Sequence, residues 1–375
     1  MRFSDIVGCE GLGERLRAGA AAGRVAHAQL FDGPEGSASL ALARAYATYL
    51  HCEAPTAEDA CGTCSSCKAH ARLEHPDLHW SFPFFKADGQ EKAISQPFQS
   101  AWREMVLQRP FFGMEEWTGA IGADRKQLFI SVHEALEINR KLGLKPFKGG
   151  WKILILWLPE TMRVDTANKM LKLIEEPTDR TVMLFVSEHF DNLLATIRSR
   201  VQAVRVPRLD DASARDQIMR LTGLAEEPAE DLARVVEGNM AAAMRLAASE
   251  GATPDHELFV NWMRACYASQ SGKIVELAED FAKPGREGMK RFLIYALHMV
   301  RQCIVGNYGA MDLVRLTARE RAFAEKFAPF IHHGNVLRMQ EELEMAHRDV
   351  SGNVNGKLVF LDLSVRLNIL LHRAH

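Results

Sequence analysis

The sequence predicts an α/β fold: a parallel sheet with helices on both faces over residues 1–207, and helices alone from there to residue 375. Three observations carry this. Short apolar runs alternate with helical patterns through the first half, as they do where crossover helices connect parallel strands. Two of those runs, Lys152 to Trp157 and Thr181 to Val186, are apolar almost without interruption, the pattern of strands buried on both faces. Strand signals then almost vanish from Pro207 on.

Taken in order, Gln29-Leu30-Phe31 reads as a strand running into the turn Asp32-Gly33-Pro34-Glu35-Gly36. Leu40, Ala43, Ala47 and Leu50 then mark one face of a helix. The segment 79–126 is aromatic-rich and irregular and reads as an insertion, with its aromatic residues open to either a core or a partner surface. Between the two apolar runs, Ala167, Met170, Leu171 and Ile174 fall at i, i+3, i+4 and i+7. Asp165 or Thr166 is placed to cap that helix, and Pro177 after Glu175-Glu176 ends it. Asp210, Asp211 or Ser213 can cap a following helix, and helical patterning continues to about Ser249 before Gly251-Ala252-Thr253-Pro254 breaks it. Beyond lie helical repeats through Phe259-Trp262-Met263, Phe292-Tyr295-Ala296-Met299 and Leu358-Leu361-Leu363-Leu367, which predict a helical bundle. The expected domains are therefore 1–207, 208–252 and 253–375.

The chain is 47% hydrophobic and 25% charged, with 46 basic against 48 acidic residues, the composition of a globular protein. A near-neutral balance argues against autonomous nucleic-acid binding, which needs concentrated positive charge. The start, Met1-Arg2-Phe3-Ser4-Asp5, lacks the features of a signal peptide. With no run of about 18 apolar residues, a cytoplasmic protein without membrane contact is expected.

The loop after the first strand invites comparison with G-x-x-x-x-G-K-[ST], whose backbone cradles phosphates, whose Lys reaches them and whose hydroxyl holds magnesium. Gly33 opens the pattern and Gly36 and Ser37 follow. Ala38, Ser39 and Leu40 then stand at the second Gly, the Lys and the Ser/Thr. The acidic pair that should end the strand Lys152 to Leu156 is replaced by Trp157 and Leu158, with Glu160 two residues beyond the reach of that register. ATP binding and hydrolysis by this chain are not expected, although backbone donors over 33–37 can by themselves bind a phosphate weakly. As a bare pattern the loop is an ordinary turn before a helix.

Four of the seven cysteines, Cys52, Cys61, Cys64 and Cys67, form C-x8-C-x2-C-x2-C, a thiolate set suited to a structural zinc in a module of about 52–75. His70 or His75 could replace one thiolate. Cys9, Cys266 and Cys303 are scattered and read as packing residues. A zinc ribbon touching DNA is the rival, weakly supported by Lys68 and Arg72. Thr196-Ile197-Arg198-Ser199-Arg200-Val201 puts a cation at the edge of the sheet domain, where a solvated arginine is the default reading.

Several stretches together resemble the AAA+ subunits of bacterial DNA polymerase III clamp loaders, specifically the delta-prime type. They are His27-Ala28-Gln29-Leu30-Phe31 before Gly33-Pro34-Glu35-Gly36, the four cysteines after the loop's helix, Ala167-Asn168-Lys169-Met170-Leu171-Lys172 leading to Glu175-Glu176-Pro177, and Thr196 to Arg200. The likeness is dense over 1–208 and looser beyond, where Asn353-Val354-Asn355 before Lys357-Leu358 matches the last helices. The resemblance implies an AAA+ P-loop-type sheet domain with an embedded zinc module, a helical lid over 208–252 and a C-terminal collar domain that joins other subunits. It also implies that Ser199 and Arg200 stand where the family's Ser-Arg-Cys motif offers an arginine finger to ATP bound by a neighbour, Val201 replacing Cys. The lid arginine of active relatives falls at Ala241. The implied partners are gamma/tau- and delta-type subunits, and through the complex the sliding clamp and primed DNA. An active gamma/tau-type ATPase, or a zinc-dependent nucleic-acid-binding protein, are the alternatives.

Overall fold

A computed structural model describes residues 1–123, 126–147, 150–248, 254–309, 313–352 and 354–372. They fall into two compact units, Met1–Met244 and Arg245–His375.

The first unit is built on five strands: β1 (Ala28–Asp32), β2 (Leu78–Ser81), β3 (Lys152–Trp157), β4 (Thr181–Ser187) and β5 (Gln202–Arg205). Their order is β2-β3-β4-β1-β5 and every pairing is parallel. Parallel neighbours cannot be joined by a tight turn, so each connection carries helices: α1 (Glu10–Ala21) precedes β1, α2 (Ser39–His51) and α3 (Ser65–Ala71) lead to β2, α4 (Gln99–Gln108), α5 (Met114–Ala120) and α6 (Val132–Leu142) lead to β3, α7 (Val164–Glu175) joins β3 to β4, and the short α8 (Ala195–Arg198) joins β4 to β5. This is the α/β class expected from the sequence. Every residue of β3 and β4 is buried, which explains their uninterrupted apolar runs. On one face of the sheet Leu30, Leu154, Leu156, Met183 and Phe185 pack with Ala167, Met170 and Ile174 of α7 and Ile138 and Leu142 of α6. The edge strand β5 is mostly exposed, and its sequence carries no alternation to betray it.

Two local expectations are corrected. The cap of α7 is Arg163, so Asp165 lies inside the first turn, where its Oδ1 accepts the Thr166 N–H at 2.8 Å. The segment 79–126 is more regular than its composition suggests, holding the end of β2 together with α4 and α5. Its aromatic residues are core, except for the half-buried Phe85. Phe82 stacks on Trp102 at 4.3 Å, Trp117 meets both edge-on, and the Trp117 indole N–H donates to the Pro83 carbonyl at 2.6 Å.

After β5 come α9 (Asp211–Thr222), α10 (Glu226–Val236) and α11 (Met240–Ala248). Asp210 is the cap of α9, accepting the Ser213 N–H at 2.9 Å. The expected break at Gly251-Ala252-Thr253 lies outside the described residues, as do Ser249 and Asn353.

Taken by itself, the second unit consists of α12 (Pro254–Tyr267), α13 (Ser271–Ala282), α14 (Gly285–Asn307), α15 (Ala318–Phe327), α16 (Val336–Ser351) and α17 (Gly356–Leu371). Phe259, Trp262, Phe281, Phe292 and Phe360 form its centre, where the Trp262 indole N–H finds the Ser364 hydroxyl at 2.7 Å. Asn355 caps α17 by accepting the Lys357 and Leu358 N–H groups. Leu358 was expected on the buried face and is instead exposed, together with Val365 and Ile369 on the side of α17 opposite the core. Among the described residues no helix is long and apolar enough to cross a membrane.

Candidate functional site

Three groups of sequence-predicted residues fall in the first unit: the glycine loop, the Ser199–Arg200 rim and the cysteine cluster. The loop leaves β1 with the Gly33 N–H donating to Ser187 of β4 at 3.2 Å, and closes on itself where the Ser37 N–H donates to Pro34 at 3.0 Å. Ser37 and Ser39 share a hydrogen bond between their hydroxyls at 2.9 Å. Ser39 and Leu40, at the positions of the cation and the metal-binding hydroxyl, are both buried at the start of α2. A Cβ on Gly33 would lie 2.3 Å from the Val206 carbonyl oxygen. Gly36, at φ +77°, carries the start of α11 against it: its carbonyl accepts the Met240 N–H at 3.0 Å, and a Cβ there would fall 1.9 Å from the Asn239 Oδ1. Ala241 is buried within α11.

Across from the loop, the end of β3 presents Trp157, buried and packed on Trp102 at 5.2 Å and Phe112 at 5.3 Å. Trp157, Phe111, Phe112 and Leu40 line what remains of the cleft beside Gly36 and Ser37, with Glu188 on the same lining. Leu158 follows at φ +54°, a left-handed conformation that costs an L-residue about 1–2 kcal/mol. Glu160 is not on the cleft's lining: its Oε1 accepts the Glu188 and His189 N–H groups at 2.9 and 3.1 Å.

Arg200 lies just beyond α8 and is about one-third exposed. Its Nε donates to Glu175 Oε1 at 2.5 Å, while the Nη1 donates to the Thr196 carbonyl at 2.9 Å and to the Ser199 hydroxyl at 3.2 Å. Ser199 therefore touches the guanidinium directly. In the sequence Glu175 belongs to the helix stop and to one of the stretches that carry the resemblance. Its pairing with a residue 25 positions away has no signal in local pattern.

The four cysteines converge as their spacing suggests: their sulfurs all lie within 4.8 Å of one another, and Cys61 and Cys67 are 4.0 Å apart. A tetrahedral zinc with ligands at 2.3 Å requires sulfur separations of about 3.8 Å, so these residues can hold a zinc ion. Backbone N–H groups already point at the sulfurs, from Cys61 to Cys52 at 3.2 Å, from Cys64 to Cys61 at 3.4 Å and from Cys67 to Cys64 at 3.4 Å. Such donors from Thr63 and Cys64 hold the Cys61 thiol down to about 6. Cys9, Cys266 and Cys303 are buried packing residues, as expected, with thiols pushed up by that burial to between about 11 and 12.

His70 and His75 gather with His51 rather than with the sulfurs. In this buried cluster His51 is hydrogen-bonded to His70 and stacked on His75. His51 Nε2 meets the Trp151 carbonyl at 2.7 Å, so that nitrogen carries the proton, and His51 Nδ1 accepts from His70 Nε2 at 2.7 Å. His51 and His75 stack at 3.9 Å with planes 15° apart. Ring lone pairs lie in the ring plane, so two near-parallel stacked imidazoles cannot converge on one ion. The cluster ties the cysteine module to the chain entering β3, and its only cue in local pattern is three histidines in 25 residues.

Residues 10–210, more than half of the chain, match the model of the family described as DNA polymerase III, delta subunit. The chain belongs to that family. It is 30% identical over 207 residues to DNA polymerase III subunit delta' of Pseudomonas aeruginosa, a match covering 55% of this chain and 50% of that protein. To subunit delta' of Bacillus subtilis it is 27% identical over 198 residues, covering 52% and 46%. To subunit gamma/tau of Mycobacterium tuberculosis it is 26% identical over 201 residues, covering 53% and 27%. The chain spans about half the length of the delta' relatives it matches, and the matched family region holds the glycine loop, the cysteine cluster and Arg200.

Proposed function

We propose that this chain is a delta-prime-like subunit of a bacterial DNA polymerase III clamp loader, acting in the cytoplasm, that turns over no ATP itself. It offers Arg200, with Ser199, to ATP bound by a neighbouring gamma/tau-type subunit while the assembly loads the sliding clamp onto primed DNA in replication. A guanidinium supplied in trans stabilises charge on the transferring phosphoryl group, an effect worth roughly 10³–10⁵ in rate. The observation that carries the reading is the contrast within one unit: an arginine kept polar and accessible at the rim, and a cleft whose cation, hydroxyl and acid positions hold Ser39, Leu40 and Trp157.

In this reading the order of domains is a nucleotide-fold domain over 1–207, a lid over 208–252 and a collar over 253–375. The exposed apolar face of α17, with Leu358, Val365 and Ile369, supports the collar's role in joining other subunits. Zinc at Cys52, Cys61, Cys64 and Cys67 is structural, since four thiolates leave no open position for a substrate. An active gamma/tau-type ATPase would need chemistry at positions where Leu40, Trp157 and Ala241 are packed away. A zinc-dependent nucleic-acid binder would show salt-steep affinity for DNA as an isolated chain.

The decisive experiment is ATP turnover by a clamp-loader complex reconstituted with the native chain or with Arg200→Ala, both confirmed to assemble equally. A drop of at least about a hundredfold is expected. An unchanged rate would reduce Arg200 to a surface residue and the chain to a scaffold.

A further inference from the structure

Glu175 stands where a helix least favours it. The C-terminal end of a helix carries partial negative charge, so a carboxylate in the last turn is disfavoured unless a cation answers it. Here Pro177 keeps Glu176 out of the helical region, at φ −128° and ψ 71°, and α7 stops at Glu175, which places that side chain at the helix end. The cation that answers it is Arg200, through the 2.5 Å bond from Nε to Oε1. Thr196 and Ser199 hold Nη1, so three oxygens from the same chain fix the Nε and Nη1 edge of the guanidinium. Among the described residues Nη2 makes no hydrogen bond.

We propose that Glu175 is the positioning residue for Arg200: it orients the guanidinium before a neighbour's phosphate arrives. This rests on the reading of Arg200 as a trans-acting arginine. An unrestrained arginine samples many rotamers, and a group that must first be ordered contributes less in the transition state than one already in place. Because both partners are partly solvent-exposed, the ion pair adds little to folding, and its loss changes orientation without unfolding the chain. The Glu175-Glu176-Pro177 motif thereby acquires a role beyond ending a helix.

The test uses the full complex reconstituted with the native chain, Glu175→Ala, Glu175→Gln, Glu175→Lys or Arg200→Ala, with assembly checked by size exclusion and kcat and KM for ATP measured separately. Glu175→Ala is expected to lower kcat about tenfold while KM stays within about twofold. Glu175→Gln keeps the oxygen acceptor and returns kcat to within about threefold of native. Glu175→Lys repels the guanidinium, is at least as slow as the alanine variant, and replaces it if that variant fails to assemble. Native kcat in Glu175→Ala or Glu175→Lys alongside a strongly slowed Arg200→Ala would overturn the positioning role and leave the trans-acting arginine standing. A rise in kcat would overturn it too, marking the pair as a latch that has to open. If Arg200→Ala itself leaves kcat unchanged, the reading beneath the proposal fails and the proposal with it.

Discussion

At the end of β3 an indole fills the space where nucleotide chemistry would need a carboxylate, whereas just past α8 a guanidinium stands at the surface with one edge held by three oxygens. Both places belong to the same unit and the same sheet, yet burial has treated them oppositely. A buried polar group without a partner costs several kcal/mol, so a cleft that lacks the cation and the strand-end acid is stable when packed with Trp157, Phe112 and Leu40, leaving Glu188 as the acid on its lining. A charge at a rim carries no such penalty and can be kept for a partner outside the chain. Side chains inside the cleft should therefore matter to stability, and those at the rim to function.

The largest expected effect tests the cleft. Trp157→Ala removes a fully buried indole from an aromatic cluster and should destabilise the chain by about 4 kcal/mol in denaturant unfolding. A loss below about 1 kcal/mol would mean the cleft is loosely filled and still open to a ligand. Gly36→Ala forces a Cβ into Asn239 at φ +77° and disturbs the Asn239 side chain, which accepts the Ala242 N–H at 3.0 Å; about 2–3 kcal/mol should be lost. Wild-type stability in that variant would show that the start of α11 is not held against the loop.

A third expectation concerns the stacked histidines. Burial holds the His51 imidazole down to about 4, below the value of about 6.5 in an unfolded chain. Between those limits the unfolded state binds a proton that the folded state refuses, so stability falls as pH drops through this window. His51 should contribute roughly 1.5 kcal/mol of the loss between pH 6.5 and 5, with the buried His70 and the half-buried His79 adding to the same slope, so His51→Gln should reduce that slope in urea titrations run with zinc content monitored. The smallest effect belongs to the rim: Arg200→Ala should change stability by less than about 1 kcal/mol. A larger loss would place Arg200 with Trp157 as a structural residue and erase the contrast.

The fold was legible where burial is complete. The runs of β3 and β4 are apolar because both faces are covered, and α7 shows its register because one stripe meets the sheet. The edge strand β5 went unseen because its residues face solvent, and β2 because four residues are too few to establish a period. The aromatic segment 79–126 could not be resolved into core or surface by composition, since an aromatic residue serves either. Only its rings stacked around Trp102 decide for core. Leu358 fits the helical period of α17 but lies on the exposed side, because that helix is apolar nearly all round and its pattern names no single face.

By itself the sequence determined whatever depends on residue type at a fixed local spacing: four cysteines close enough to share an ion, a glycine loop with leucine where a hydroxyl is needed, and Ser199-Arg200 after a short helix. Tertiary structure alone decided what depends on residues far apart in the chain. It brought Glu175 to Arg200, set Asn239 against Gly36, and gathered His51, His70 and His75 into a cluster apart from the sulfurs. The physical reason is range. Helical and strand periods, turns and short ligand loops are governed by backbone geometry over a few residues, whereas an ion pair, a close approach or a ring stack exists only once the sheet has fixed where its helices end.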